Sequence, residues 1–211
     1  MEQGTVVEVT SEEELRALVG EPAQHTRDKV RTTLHALDRE WLAHSPFCLV
    51  ATSAADGSCD VSPKGDPPGF VKVLDDRTLA IPDRPGNKRV DGLLNVLSNP
   101  HVGLVFFLPG RGDTLRVNGR ARIVREAPFL EEMVARRDRP QLALVVEVRE
   151  VFHHCAKASL RSSLWEPETW RPDALPHRAR LAKALDRSGD SLEFLEAYYG
   201  PRYAEKVRAE G

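Results

Sequence analysis

The chain has little of what most readily betrays a function. It holds only three cysteines, Cys48, Cys59 and Cys155. An odd number without metal-type spacing argues against a disulfide framework and fits a reducing cytoplasm, the expected location. Thirty Lys and Arg nearly balance thirty-two Asp and Glu, for a net charge of −2, so no global field recruits nucleic acid or a membrane surface. No apolar run approaches the roughly 18–20 residues of a membrane span. The first residues, Met1-Glu2-Gln3-Gly4, lack the basic-then-apolar layout of a signal peptide. No Gly-x-Gly-x-x-Gly follows a strand pattern, and there is no Gly-Lys-Ser/Thr phosphate loop. No Ser/His/Asp or Cys/His arrangement has a context that would support nucleophilic catalysis. Internal repeats and low-complexity segments are absent as well.

What remains is an ordinary globular composition, 41% hydrophobic and 29% charged over 211 residues, enough to bury a core. Two corners stand out in it. Ser62-Pro63-Lys64-Gly65-Asp66-Pro67-Pro68-Gly69-Phe70 and Pro82-Asp83-Arg84-Pro85-Gly86-Asn87-Lys88-Arg89 each end a strand-like segment in a Gly/Pro-rich turn carrying cations. The second opens into a helical pattern, Val90, Leu93, Leu94 and Leu97, that closes at Asn99-Pro100. Backbone amides at a helix start beside Lys and Arg suit an anionic phosphate. The competing reading is a solvated basic turn.

The rest of the chain frames these corners. Residues 1–45 read as helical: Ser11-Glu12-Glu13-Glu14 fits a capping box, the first helix stops near Gly20-Glu21-Pro22, and Val30, Leu34, Leu37 and Trp41 predict one apolar stripe from Gln24 to His44. Strand signals follow at 47–52 and 58–62 around Asp56-Gly57, at 70–74 and 78–81 around Asp75-Asp76, then at 101–108, 114–125 and 141–152. A short helix is expected over Pro128–Arg137. Six or seven short strands joined mostly as hairpins, with two helices between them, predict a mainly β protein with peripheral helices, built as an antiparallel barrel. A doubly wound parallel sheet would need helices between most strands. The predicted organisation is an N-terminal helical segment (1–45), a barrel domain (46–165) and a helical tail (166–211). The tail crosses an extended proline-rich stretch at 166–176. Its amphipathic pieces carry Leu192, Phe194, Leu195 and Tyr198, expected to pack on the barrel or on a partner subunit.

This order of elements, with Pro-Asp-x-Pro-Gly-Asn-Lys-Arg at 82–89 and Thr114-Leu115-Arg116-Val117-Asn118-Gly119 further on, resembles the pyridoxamine 5′-phosphate oxidase-like FMN-binding split-barrel proteins. The stretch from Phe152 to Trp165 is similar to one bacterial subgroup of probable FMN-dependent enzymes. The resemblance implies a six- or seven-stranded split barrel that binds FMN at the interface of a homodimer. It implies that Ser62, Pro63, Lys64 and Gly65 line the flavin ring, that Pro82 and Asp83 meet the ring edge, and that Lys88 and Arg89, with Asn87 beside them, hold the phosphate. It also maps the family's flavin-contacting Gln onto Thr114 and retains Arg116. The carboxy-terminal Arg-Leu-His-Asp-Arg substrate motif of the vitamin B6 enzyme is absent, which counts against pyridoxamine phosphate as substrate.

Physical chemistry agrees in part. Reduced flavin accumulates negative charge near N1 and O2, and a fixed cation such as Lys64 would stabilise it. His153 and His154, adjacent on a strand, point to opposite faces and cannot easily share a metal. His154, Lys157, Arg161 and Trp165 form a candidate pocket lid, the last three on one face if that segment is helical. The expectation is an FMN-dependent oxidoreductase acting on an unidentified small molecule. The alternatives are a non-catalytic flavin-binding or sensing protein, or the same fold using a deazaflavin or haem.

Overall fold

The computed structural model describes residues 5–135 and 139–210; Met1–Gly4 and the Arg136–Arg137 end of the expected helix lie outside the described residues. The strands are β1 (Phe47–Ser53), β2 (Cys59–Gly65), β3 (Lys72–Val73), β4 (Thr78–Asp83), β5 (His101–Phe107), β6 (Thr114–Val124) and β7 (Leu142–His154). Every strand pairing is antiparallel, in one sheet of order β2-β1-β5-β6-β7-β4-β3. The fold is mainly β with flanking helices, as expected of a split barrel, but its ladder does not close: β2 and β3 are edges.

Local chemistry explains the strands. β1 and β5 alternate inward and outward residues, so Cys48, Val50, Thr52, Val102, Leu104 and Phe106 are buried. β7 instead buries Ala143, Leu144, Val145 and Val146 consecutively, because both its faces are covered. One face joins the main core, and the other meets Leu130 and Met133 of a 3-10 turn. The Asp56-Gly57 hairpin forms as expected, with Gly57 at φ 87° and Asp56 Oδ1 accepting from the Ser58 amide at 2.9 Å. Between β6 and β7 the register shifts at Asn118/Gly119, and a Cβ on Gly119 would lie 2.1 Å from the Glu147 carbonyl oxygen. Only glycine permits that approach.

The helices are α1 (Glu12–Val19), α2 (Gln24–Asp28), α3 (Ala36–His44), α4 (Asp91–Ser98), α5 (Lys157–Arg161), α6 (Arg178–Leu185), α7 (Leu192–Tyr198) and α8 (Pro201–Glu210). Ser11 caps α1 by accepting from the Glu14 amide at 3.1 Å. The expected stripe from Gln24 to His44 is corrected. The helix breaks between Asp28 and Ala36, and Arg31 pairs backbone with Val151 instead. Leu34 and Trp41 are buried, while Val30 and Leu37 are exposed. The helix expected from Pro128 is a 3-10 turn ending at Met133, and the strand expected at 70–74 shrinks to Lys72–Val73. The proline-rich crossing is broken by two short 3-10 turns, Pro167–Thr169 and Pro172–Ala174. In the tail, Ala179, Ala182 and Leu195 form a small core of their own, and Phe194 and Tyr198 stay exposed. Among the described residues no helix is long and apolar enough to cross a membrane.

A buried carboxylate locks the break between α2 and α3. Asp38 is fully buried, and it accepts from both guanidinium nitrogens of Arg31, from the His35 amide at 2.8 Å and from His153 Nε2 at 3.2 Å. Burial pushes its carboxyl up. The hydrogen bonds from Arg31 and His35, with the positive charges of Arg31 and His153, outweigh that and hold it below the usual carboxylate range. A carboxyl depressed in the folded state gives stability that is present above the ordinary carboxylate pKa and lost as pH falls through the folded one. Asp38→Asn should therefore cost about 3 kcal/mol at neutral pH. It should also flatten the fall in stability as the pH drops below the ordinary carboxylate pKa, measured by urea unfolding from neutral to acid pH.

Candidate functional site

The two Gly/Pro corners meet. β2 is an edge strand, and Pro63, which lacks an N–H, is tolerated there against Leu49 of β1. β3 spans only two residues, so it pairs with β4 no further than Ala80. The stretches 60–64 and 81–83 flank a cleft of about 860 Å3 whose third wall is the segment 84–93 leading into α4. That volume lies in the range of small-molecule sites.

Alternation on β2 turns Asp60, Ser62 and Lys64 the same way. Lys64 Nζ donates to Asp83 Oδ1 at 2.8 Å. Beside it, Arg84 Nε donates to Asp66 Oδ2 at 2.7 Å and Arg84 Nη2 to the Met133 carbonyl at 2.8 Å, in a largely buried pair. These two ion pairs join β2 to β4 where no backbone ladder does. Cys48, opposite Lys64 on β1, has its thiol pushed up to about 12 by burial, against the lowering charge of Lys64. It is a core residue and an inert one.

At the head of α4, Lys88 and Val90 adopt left-handed backbone with φ 62° and 52°, a costly conformation for side chains of this kind. Arg89 Nε donates to Asp91 Oδ2 at 2.7 Å, and Asn87 Oδ1 accepts from the Arg89 amide at 3.0 Å. Lys88 makes no hydrogen bond or ion pair among the described residues. The helix is fixed to the sheet floor by Asn95 Nδ2 donating to Thr52 Oγ1 at 3.1 Å. A Cβ on Gly92 would sit 3.1 Å from Asp60 Oδ2 and 3.4 Å from Thr52 Oγ1, so glycine lets the first turn of α4 lie close on that floor.

Of the sequence-predicted residues, Ser62, Pro63, Lys64, Pro82, Asp83, Asn87, Lys88 and Arg89 line this cleft. Gly65 does not; it packs against Phe47 and the Pro46 carbonyl. Thr114 and Arg116 lie elsewhere. Thr114 pairs with His154 and Arg116 with Phe152, at the end of β7 opposite to Leu142, which does line the cleft. Twelve residue steps along β7 lead from Leu142 to His154, roughly 40 Å of chain path. The proposed lid is at that far end too: Ser159 Oγ donates to the Gly112 carbonyl, which holds α5 against the β5–β6 turn. Its expected single face is corrected. α5 ends at Arg161, Ser163 turns left-handed at φ 49°, and Trp165 falls outside the helix.

That far end has its own character. The Arg116 guanidinium and the Lys29 ammonium both lie 5.2 Å from the centroid of the Phe152 ring. Burial and these two charges hold His154 below its ordinary pKa, and Arg116 Nε is buried without a hydrogen-bond partner among the described residues. Sequence reasoning missed Thr52, Asp60, Gly92, Asn95 and the Arg84–Asp66 pair. Asp60 was within reach, since it stands two and four residues before Ser62 and Lys64. The others depend on which strands approach one another, which no local pattern reveals.

The profile of the pyridoxamine 5′-phosphate oxidase family matches residues 34–155, more than half of the chain, and the chain belongs to that family. Among solved structures it is similar to HupZ of Group A Streptococcus, at 21% identity over 57% of this chain and 93% of that one, with a TM-score of 0.46. It is also similar to an FMN-binding protein from Syntrophomonas wolfei, at 12% identity over 56% and 89%, TM-score 0.42. A third is a pyridoxamine 5′-phosphate oxidase-related, FMN binding protein from Nostoc punctiforme, at 10% identity over 55% and 76%, TM-score 0.38. No curated protein matches the chain.

The Arg84–Asp66 pair gives a direct test of how the cleft is held open. Asp66→Ala removes the carboxylate half of a buried ion pair and should cost about 3 kcal/mol. A loss below about 1 kcal/mol by denaturant titration would class it with exposed pairs instead.

Proposed function

We propose that the protein is a homodimeric FMN-dependent oxidoreductase that acts on a small molecule. The observation that carries this reading is the head of α4. There an unpartnered Lys88, on strained left-handed backbone, meets the free amides of a helix start inside the cleft. That is what a phosphate monoester requires. Arg89 already engages Asp91, so Lys88 is the first phosphate ligand and Arg89 the second. Ser62, Pro63 and Lys64 of β2 and Pro82 and Asp83 of β4 line the remainder of the cleft, where a planar ring would lie. Bound FMN would supply two-electron chemistry at that ring. The protein's part is to anchor the phosphate at Lys88, hold the ring between β2 and β4, and present Lys64 where negative charge develops.

The homodimer reading rests on the split of the candidate residues. Thr114, Arg116 and His154 do not line the cleft of their own chain. A second copy related by a twofold axis would bring one chain's far end to the other's cleft. The orphaned Arg116 Nε and the cationic surroundings of His154 suit a ligand or carboxylate contributed by such a partner. Lys157, Arg161 and Trp165 would then cover the partner's cleft rather than their own.

Titration of apoprotein with FMN tests the site. The Lys88→Ala, Arg89→Ala double variant should bind more weakly by about 1.5–3 kcal/mol for each charge-assisted hydrogen bond to the phosphate that it removes, with its unfolding midpoint nearly unchanged. An unaltered dissociation constant would refute the phosphate assignment. The absorption spectrum of the purified protein separates flavin from deazaflavin or haem. Anaerobic bleaching of bound FMN by NADPH or NADH, then reoxidation by an acceptor, separates an enzyme from a sensor. Sedimentation should show a dimer at micromolar concentration, and a stable flavin-loaded monomer would contradict the shared site.

A further inference from the structure

The partner of Lys64 adds something that the anchoring of a cofactor does not require. Lys64 and Asp83 sit on strands at opposite sides of the sheet order, are each about one-quarter exposed, and close on one another at 2.8 Å within the cleft wall. A lone ammonium at the end of β2 would project a full positive charge into the cleft. With the Asp83 carboxylate in contact, the pair is close to neutral at any distance longer than its own separation. Its partial burial makes that cancellation matter more than it would on an open surface.

We propose that Asp83 is a positioning residue that limits the positive charge Lys64 delivers to the edge of a bound flavin ring, and thereby sets how readily that flavin is reduced. The inference rests on the FMN reading above. Reduction of the ring by two electrons and one proton leaves it with a single negative charge, which a neighbouring cation favours and a neighbouring carboxylate opposes. Lys64 therefore pulls the equilibrium toward the reduced form, and Asp83 pulls it back. The competing role, an ion pair that only joins β2 to β4, predicts a different pattern. Removing either partner would then loosen the same contact and move the flavin equilibrium in one direction or not at all.

The experiment uses the full chain loaded with FMN and equilibrated anaerobically with a reference redox dye during slow dithionite reduction. Asp83→Asn should raise the ratio of reduced to oxidised flavin at a given dye poise by about tenfold, and Lys64→Met should lower it by about tenfold. Asp83→Glu, which keeps the charge, should return the ratio to within about threefold of the wild type. Should the Asn variant not accumulate as folded protein, Asp83→Ser is read in the same way. Opposite shifts with rescue by Glu support the inference. A ratio unchanged in Asp83→Asn, or moved the same way as in Lys64→Met, overturns it while leaving FMN binding intact. A wild-type protein that binds no FMN overturns the cofactor reading itself, and this inference with it.

Discussion

The sheet of this protein curls until its edge strand β2 comes up to β4, and two ion pairs finish what the backbone leaves undone. Lys64–Asp83 and Arg84–Asp66 join β2 to β4 through side chains. A backbone ladder in the same place would saturate every N–H and C=O and leave no room for a ligand. Side chains join the edges at a distance, so the gap between the strands becomes the cleft. The same economy disposes of two unpaired edges without full closure, since charged groups and Pro63 on an edge discourage pairing with another chain.

Much of this was legible along the sequence, and for a shared reason. The Asp56-Gly57 hairpin, the alternation in β1, the capped α1 and the start and stop of α4 are all decided by residues within a few positions of one another. The two cationic corners, proposed above as a phosphate site, could likewise be picked out, because turn chemistry and charge are local. What failed was non-local. Val30 and Leu37 keep helical spacing with Leu34 and Trp41, yet the Asp38–Arg31 contact and the Arg31–Val151 bridge break the helix between them. A buried charge network overrode periodicity. Trp165 kept its four-residue spacing with Arg161 only on paper, since Ser163 reverses the chain.

The division of the candidate residues into two sets has the same origin. Resemblance counts Thr114 and Arg116 with Lys64 and Lys88 as flavin contacts, but they stand on β6, three strands from β2, and do not line the cleft. Within a single chain the two sets stay separate, and the proposed second copy is what would unite them.

Cys48 has a consequence for handling the molecule. With its thiol pushed up to about 12 and its side chain sealed in the core, it stays out of reach of maleimides and oxidants that act on thiolates. The exposed thiols are Cys59, at the entrance of β2, and Cys155, one residue past β7. Nature has thereby placed one label site beside the cleft and another at the remote tip of the sheet. Fluorophores on these two positions would read the spacing between the ends without any engineered cysteine.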